Sequence, residues 1–268
     1  MNEREHMHII SLGAGVQSTT LALMAARGEI GPMPDCAIFA DTGAEPKKVY
    51  DHLSWLTPLL PFPVHIVSSG NIVEDMTNGK TNGRPPFHIL NPNGTKGFSN
   101  RQCTQDYKII PIQRKVRELV GLKPRQRGPK DIRVKQWIGI SLDEASRMKP
   151  SRLSFVEHRW PLIEERMTRR DCLKWMEDRQ YPRPPKSACT FCPFHSDSMW
   201  RDMRDNDRVS WDGAVMFDEM IRDSRVLLRG TPFIHPSLKP LADVDLSTAE
   251  DRGQLNMFIN ECEGMCGV

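Results

Sequence analysis

Three groups of residues in this 268-residue chain have types and spacings suited to chemistry. The first is a turn rich in small residues, Ser11-Leu12-Gly13-Ala14-Gly15-Val16-Gln17-Ser18-Thr19. Gly13 and Gly15 let the backbone approach an anion closely, and the Ser18 and Thr19 hydroxyls can donate to phosphate oxygens. A helix starting near Val16 adds N–H groups that no helical carbonyl uses, at the positive end of its dipole. The turn has no lysine, so it is not a Walker loop. Gly13-x-Gly15 with Asp41 at the end of the next strand is an incomplete dinucleotide fingerprint, because Ser18 stands where the third glycine belongs. A turn that merely connects two elements is the alternative to any ligand role.

The second group is charged. Arg101, Lys108 and Arg147 can pair with anionic oxygens, the arginines bidentately, or can be solvated surface charges. Asp143 and Glu144 can hold Mg2+ through carboxylate oxygens, or can cap a helix that begins after Ser141. The third group is the cysteines. Seven is an odd number for a disulfide framework, so reduced thiols, metal ligands or catalytic thiols are the better readings. Cys189-x-x-Cys192 puts two thiolates on one short turn, a spacing suited to zinc or iron. Further ligands are Cys103 and the C-terminal pair Cys262 and Cys266, which would complete a 4Fe-4S cluster or a structural zinc site if the tail folds back; His195 is a substitute ligand. Cys262 lies between Glu261 and Glu263, which raise its thiol pKa unless cations surround it. Cys36, in an apolar strand, and Cys172, in a helix, read as core residues.

The elements that position these groups alternate. Residues 8–14 read as a strand, 16–30 as a helix, 35–41 as a strand, the segment after Pro46 as a helix with Val49, Leu53 and Leu56 on one face, and 64–68 as a strand. Residues 80–100 form a long Gly/Pro/Asn-rich loop, followed by a helix over 109–120 and a strand over 134–140. The alternation predicts an α/β domain with a mostly parallel, doubly wound sheet over residues 1–150. Residues 151–268 read as a smaller helical, cysteine-containing module, with a helix over 169–179 and a knuckle over 187–195.

The order of these pieces resembles the PP-loop proteins, specifically the phosphoadenosine phosphosulfate (PAPS) reductase superfamily. Ser11, Gly15, Ser18 and Thr19 fall in the register of Ser-x-Ser-Gly-Gly-x-Asp-Ser, with Gly13 and Ala14 at its Ser-Gly positions and Gln17 in place of its acidic residue. Asp41-Thr42-Gly43-Ala44-Glu45 is similar to the family's Asp-Thr-Gly-x-Glu, and Arg101-Gln102-Cys103-Thr104 with Lys108 and Pro111 to its Arg-x-Cys-Thr segment. Gly139 to Glu144 with Arg147, Trp160-Pro161-Leu162 and the Cys189 knuckle continue the series. The resemblance implies a five-stranded Rossmann-like sheet and an adenine nucleotide, ATP or PAPS, on the strand ends. Its phosphates or sulfate would sit at residues 11–19, with Asp41, Thr42, Arg101, Lys108, Gly139 and Arg147 around it. It also implies sulfur or nucleotidyl transfer, through a cysteine-bound cluster such as some relatives carry, or through Cys262 as nucleophile with a thiol donor such as thioredoxin. Asp41 and Lys108 are the other catalytic candidates.

Composition sets limits on these readings. No apolar run approaches the roughly 20 residues a spanning helix needs, and the charged N-terminal segment lacks the pattern of a secretory signal, so a cytoplasmic protein is expected. The net charge of +3 does not announce a nucleic-acid binder, although the stretch from Lys123 to Lys130 with Arg133 and Lys135 permits a nucleic-acid acceptor.

Overall fold

The computed structural model describes residues 6–79, 83–223 and 230–247. Its strands are β1 (Met7–Leu12), β2 (Cys36–Asp41), β3 (Val64–Ser68), β4 (His88–Leu90), β5 (Lys96–Phe98), β6 (Val134–Ile138), β7 (Val156–Arg159) and β8 (Thr231–Phe233). Its α-helices are α1 (Val16–Ala26), α2 (Lys47–Leu56), α3 (Ile72–Thr77), α4 (Ile110–Leu119), α5 (Pro161–Glu164), α6 (Arg169–Glu177), α7 (Asp197–Asn206) and α8 (Arg208–Asp223). They divide into two compact units with interleaved segments: Met1–Asp41, Lys47–Ser68 and Lys108–Ser187 in the first, Thr42–Pro46, Ser69–Tyr107 and Ala188–Val268 in the second. The expected single boundary near residue 150 is therefore not how the chain is partitioned.

The first unit is an α/β domain. Its five-stranded sheet has the order β3-β2-β1-β6-β7, and every neighbouring pair is parallel. β1 is buried from His8 onward on both faces, as the apolar run of a central parallel strand requires. α1 is buried nearly all round, because Leu21, Ala22, Leu23 and Ala25 leave it no polar face. It stops at Ala26, earlier than the apolar pattern suggests, where Arg27 caps it and Gly28 takes a φ of 72° that a side chain rarely adopts. β6 ends at Ile138 rather than at residue 140, since the Ile140 amide turns back to the Ile138 carbonyl. β7, α5 and α6 lie beyond residue 151 but complete this unit. α6 starts with a reciprocal capping box between Thr168 and Asp171 and packs against α1. Cys172 and Cys36 are core residues, and burial pushes their thiols up to about 12 and about 11.

The second unit holds the antiparallel sheet β5-β4-β8 and helices α3, α7 and α8. Its core contains Phe87, Tyr107, Phe191, Trp200, Trp211 and Phe217, with Phe191 and Phe217 stacked 4.0 Å apart. The β4–β5 hairpin lies inside the stretch that reads from sequence as one long loop. Its three-residue strands are too short to reveal an alternating pattern.

Candidate functional site

In the first unit the chain leaves β1 toward β2 and β3 on one side, while β6 and β7 lie on the other. The strand order thus reverses between β1 and β6, and a crevice at such a point, beyond the carboxyl ends of the strands, is where doubly wound domains take ligands. Residues 13–15 follow β1 there, and Gly139 follows β6. A Cβ on Gly139 would stand 2.9 Å from both the amide nitrogen and the Cα of Ser18, so only glycine lets these two turns approach. Gly15 is the extended N-cap of α1, and Ala14 sits at a φ of 55°. The first turn of α1 carries no acidic residue of its own, so no side chain of that turn competes with an anion for its amides and the positive end of its dipole.

The polar side chains of the turn brace it from within. Ser18 Oγ accepts from the Gly13 amide at 3.2 Å and donates to the Gly15 carbonyl at 3.3 Å. Thr19 points into the core, where its hydroxyl lies 3.0 Å from His52 Nε2, and burial holds that imidazole below 6.5. Ser11 is buried in β1 and accepts from Gln136 Nε2 at 2.6 Å. The backbone amides, more than these hydroxyls, are therefore what the turn offers to an anion. Thr19 differs from the expected phosphate donor because its side chain is fully buried, with its hydroxyl against His52.

Gln17 reaches across the crevice. Its Nε2 donates to Glu144 Oε2 at 3.2 Å and to Ser141 Oγ at 3.4 Å, while Arg147 Nη1 donates to Glu144 Oε1 at 2.6 Å. Asp143 accepts from the Arg169 amide at 3.0 Å, so it caps α6 and not its own 3-10 segment. Asp41 accepts from the Tyr50 hydroxyl at 2.8 Å. Lys108 lies in a π-helical stretch, Thr104–Ile109, ahead of α4. His52, Tyr50 and Gln136 are site-supporting residues with no motif of their own; Gln136 pairs with Ile9 in the sheet and reaches Ser11 diagonally, a contact that only the pairing of β1 with β6 brings about.

Burial raises the Glu144 carboxyl above its ordinary 4.5, and Arg147 opposes this. A carboxyl that binds its proton more tightly when folded stabilises the fold fully below 4.5, and that contribution is lost as pH rises through the raised value. The unfolding free energy of the wild type minus that of Glu144→Gln should therefore fall as pH rises from below 4.5 through that range, then level off. Urea titrations of both proteins at several pH values check this; a difference that stays flat or rises would refute it.

In the second unit Thr42 Oγ1 lies 3.3 Å from Cys189 Sγ. The knuckle turns as the Cys192 amide donates to the Cys189 carbonyl and the His195 amide to the Cys192 carbonyl, and the Thr190 amide donates to the Ala44 carbonyl. Gly43, at a φ of 70°, has Asn71 only 3.0 Å from where a Cβ would be, and Asn71 both donates to the Gly43 carbonyl and caps α3. Within the second unit, residues 42–44 and the cysteine knuckle are thus braced against each other. The Arg101 guanidinium sits 5.6 Å from the centre of the Phe194 ring, and the Cys103 amide donates to the Arg84 carbonyl. Among the described residues there is no disulfide, and no three His, Cys, Asp or Glu side chains are gathered where they could share a metal ion. Cys103, Cys189 and Cys192 by themselves thus do not make a cluster or zinc site. Cys262 and Cys266 lie outside the described residues. No helix among the described residues is long and apolar enough to cross a membrane.

The first unit is therefore of the doubly wound, parallel α/β class, with a glycine turn at the point where its strand order reverses. No family model matches this chain, and no curated protein matches it. Among solved structures, the chain is similar to the phosphate complex of phosphoadenylyl-sulfate (PAPS) reductase from Candida auris, at 13% identity and a TM-score of 0.44, over 66% of this chain and 74% of that one.

Proposed function

We propose that the chain is an enzyme that binds the phosphates of an adenine nucleotide against residues 13–18 and uses the nucleotide in sulfur or nucleotidyl transfer. The observation that carries this reading is the N-terminus of α1, set at the reversal between β1 and β6, free of acidic residues and held against β6 by Gly139. Amides fixed before the substrate arrives stabilise charge on a departing phosphate without reorganising. In transfer from ATP, the acceptor bonds to the α-phosphorus while the bond to the bridging oxygen breaks, and pyrophosphate leaves with that electron pair. The Gln17–Glu144–Arg147 chain holds the far wall of the crevice in place.

Calorimetric titration with ATP, PAPS and NAD tests the reading. Binding of an adenine nucleotide with phosphates is expected, weakened roughly tenfold by Ser18→Ala, which removes two turn-closing hydrogen bonds of about 1 kcal/mol or less each. Assays for pyrophosphate release and for thiol-dependent sulfite release then separate the chemistries, the second being lost in Cys262→Ser. NAD binding alone, or no turnover product from any adenine nucleotide, would defeat the proposal.

A further inference from the structure

We propose that residues 123–130 form a docking surface for the phosphate backbone of a nucleic acid. The segment reads Lys123-Pro124-Arg125-Gln126-Arg127-Gly128-Pro129-Lys130 and contains four cations and no acid. All four cations are exposed, and none of them takes part in an ion pair with another described residue. The first acid after the segment, Asp131, is already paired with Arg133. Among the described residues the four charges thus have no counter-charge, which leaves them available to an anionic partner.

The loop is also built rather than loose. The Lys123 amide donates to Gln126 Oε1 at 2.9 Å, the Gln126 amide donates to the Lys123 carbonyl at 3.1 Å, and the Arg117 guanidinium donates to the Gln126 carbonyl. Ser154 Oγ donates to the Pro129 carbonyl at 2.9 Å. Gly128 lies so close to the Phe155 ring that a Cβ would fall 2.6 Å from two ring carbons. Arg125 takes a φ of 63°. Two prolines and these ties fix the backbone before binding, so a partner pays mainly for ordering side chains.

The chemistry of the loop selects among anionic partners. A bilayer surface favours apolar residues beside the charges, and residues 123–130 include no large apolar side chain to insert. Repeated phosphates suit arginine forks, each of which can take two oxygens of one group. Position separates this surface from the nucleotide crevice. The loop leads into the start of β6, and Met7 of β1 pairs with Val134 at that end, whereas residues 13–15 leave the other end of β1. The two features thus lie at opposite ends of the central strands β1 and β6, and the proposal does not rest on the nucleotide reading.

Fluorescence anisotropy with labelled single-stranded DNA, duplex DNA and RNA, across a salt series, tests it. The wild type is expected to bind at least one of these, with log K falling against log salt at a slope of about −3 to −4 if all four cations meet phosphates. The combined variant Lys123→Gln, Arg125→Asn, Arg127→Gln and Lys130→Gln should lose at least about tenfold in affinity at about 50 mM salt and most of that slope. Asn is chosen at 125 because it tolerates a positive φ. The single variant Arg127→Gln should lower the slope by about one and guards against misfolding of the combined variant, which circular dichroism monitors. No binding to any of the three at low salt, binding unchanged in the variants, or tighter binding to poly-glutamate or phosphatidylserine vesicles than to nucleic acid would overturn the proposal.

Discussion

Gly139→Ala is expected to weaken nucleotide binding by tenfold or more and to lower the unfolding free energy by about 1–3 kcal/mol. The methyl group would lie 2.9 Å from the Ser18 amide nitrogen and Cα and 3.2 Å from the Gln17 carbonyl carbon. These are backbone atoms, so no side chain can swing aside. Either α1 moves away from the end of β6 or the β6 turn shifts, and both change the crevice. Moving α1 also separates Gln17 from Glu144 and Ser141, which loses the bonds across the opening. Titration with ATP and urea denaturation of the same variant measure the two effects. A Gly139→Ala protein that binds and unfolds like the wild type would show that the two turns are not held by this contact. Gly139→Ala thus tests the close approach itself, since the glycine has no unusual φ and the strain would come only from contact.

How much of this was legible in the sequence depends on the range of the interaction. β1, α1, β2, α2 and β3 follow from local patterns, because buried apolar runs and one-sided helices leave their period in the chain. The parallel five-stranded sheet also follows, since alternation of strand and helix has few other solutions. The turn at residues 13–15 was readable from its glycines, but the roles of its side chains were not. Thr19 looks from sequence like a phosphate donor, and its bond to His52, 33 positions away, is what turns it inward. Glu144 is similar: next to Asp143 it reads as half of an acidic pair, yet the two carboxylates serve different partners, Gln17 with Arg147 for one and the start of α6 for the other. Division into units was the least legible property, because interleaving of residues 69–107 with 188–247 depends on contacts remote in sequence.

Asp218→Ala is expected to cost about 3–5 kcal/mol, the scale for stripping one partner from a buried charged pair. In sequence this residue is one more acid in the helical run Met216-Phe217-Asp218-Glu219, and a solvated position would be the ordinary reading. It is instead fully buried in α8. Its Oδ1 accepts from the Ile234 amide at 3.0 Å, its Oδ2 accepts from the Leu241 amide at 2.8 Å, and Arg222 pairs with it one turn further along. One carboxylate therefore ties the chain on either side of residues 235–240 to the helix. Alanine would leave two buried donors and a mostly buried guanidinium unmet, each of which carries its own desolvation penalty. Asp218→Asn should not rescue this, because an amide has one oxygen for the two N–H groups and presents its NH2 to a third donor. Faster amide exchange at Ile234 and Leu241 in both variants, together with an earlier urea midpoint, is the expected result. An asparagine variant as stable as the wild type would mean that at most one of the two amide contacts contributes, and that apolar packing by Phe233, Ile234 and Leu241 supplies the rest of the tie between α8 and residues 231–247.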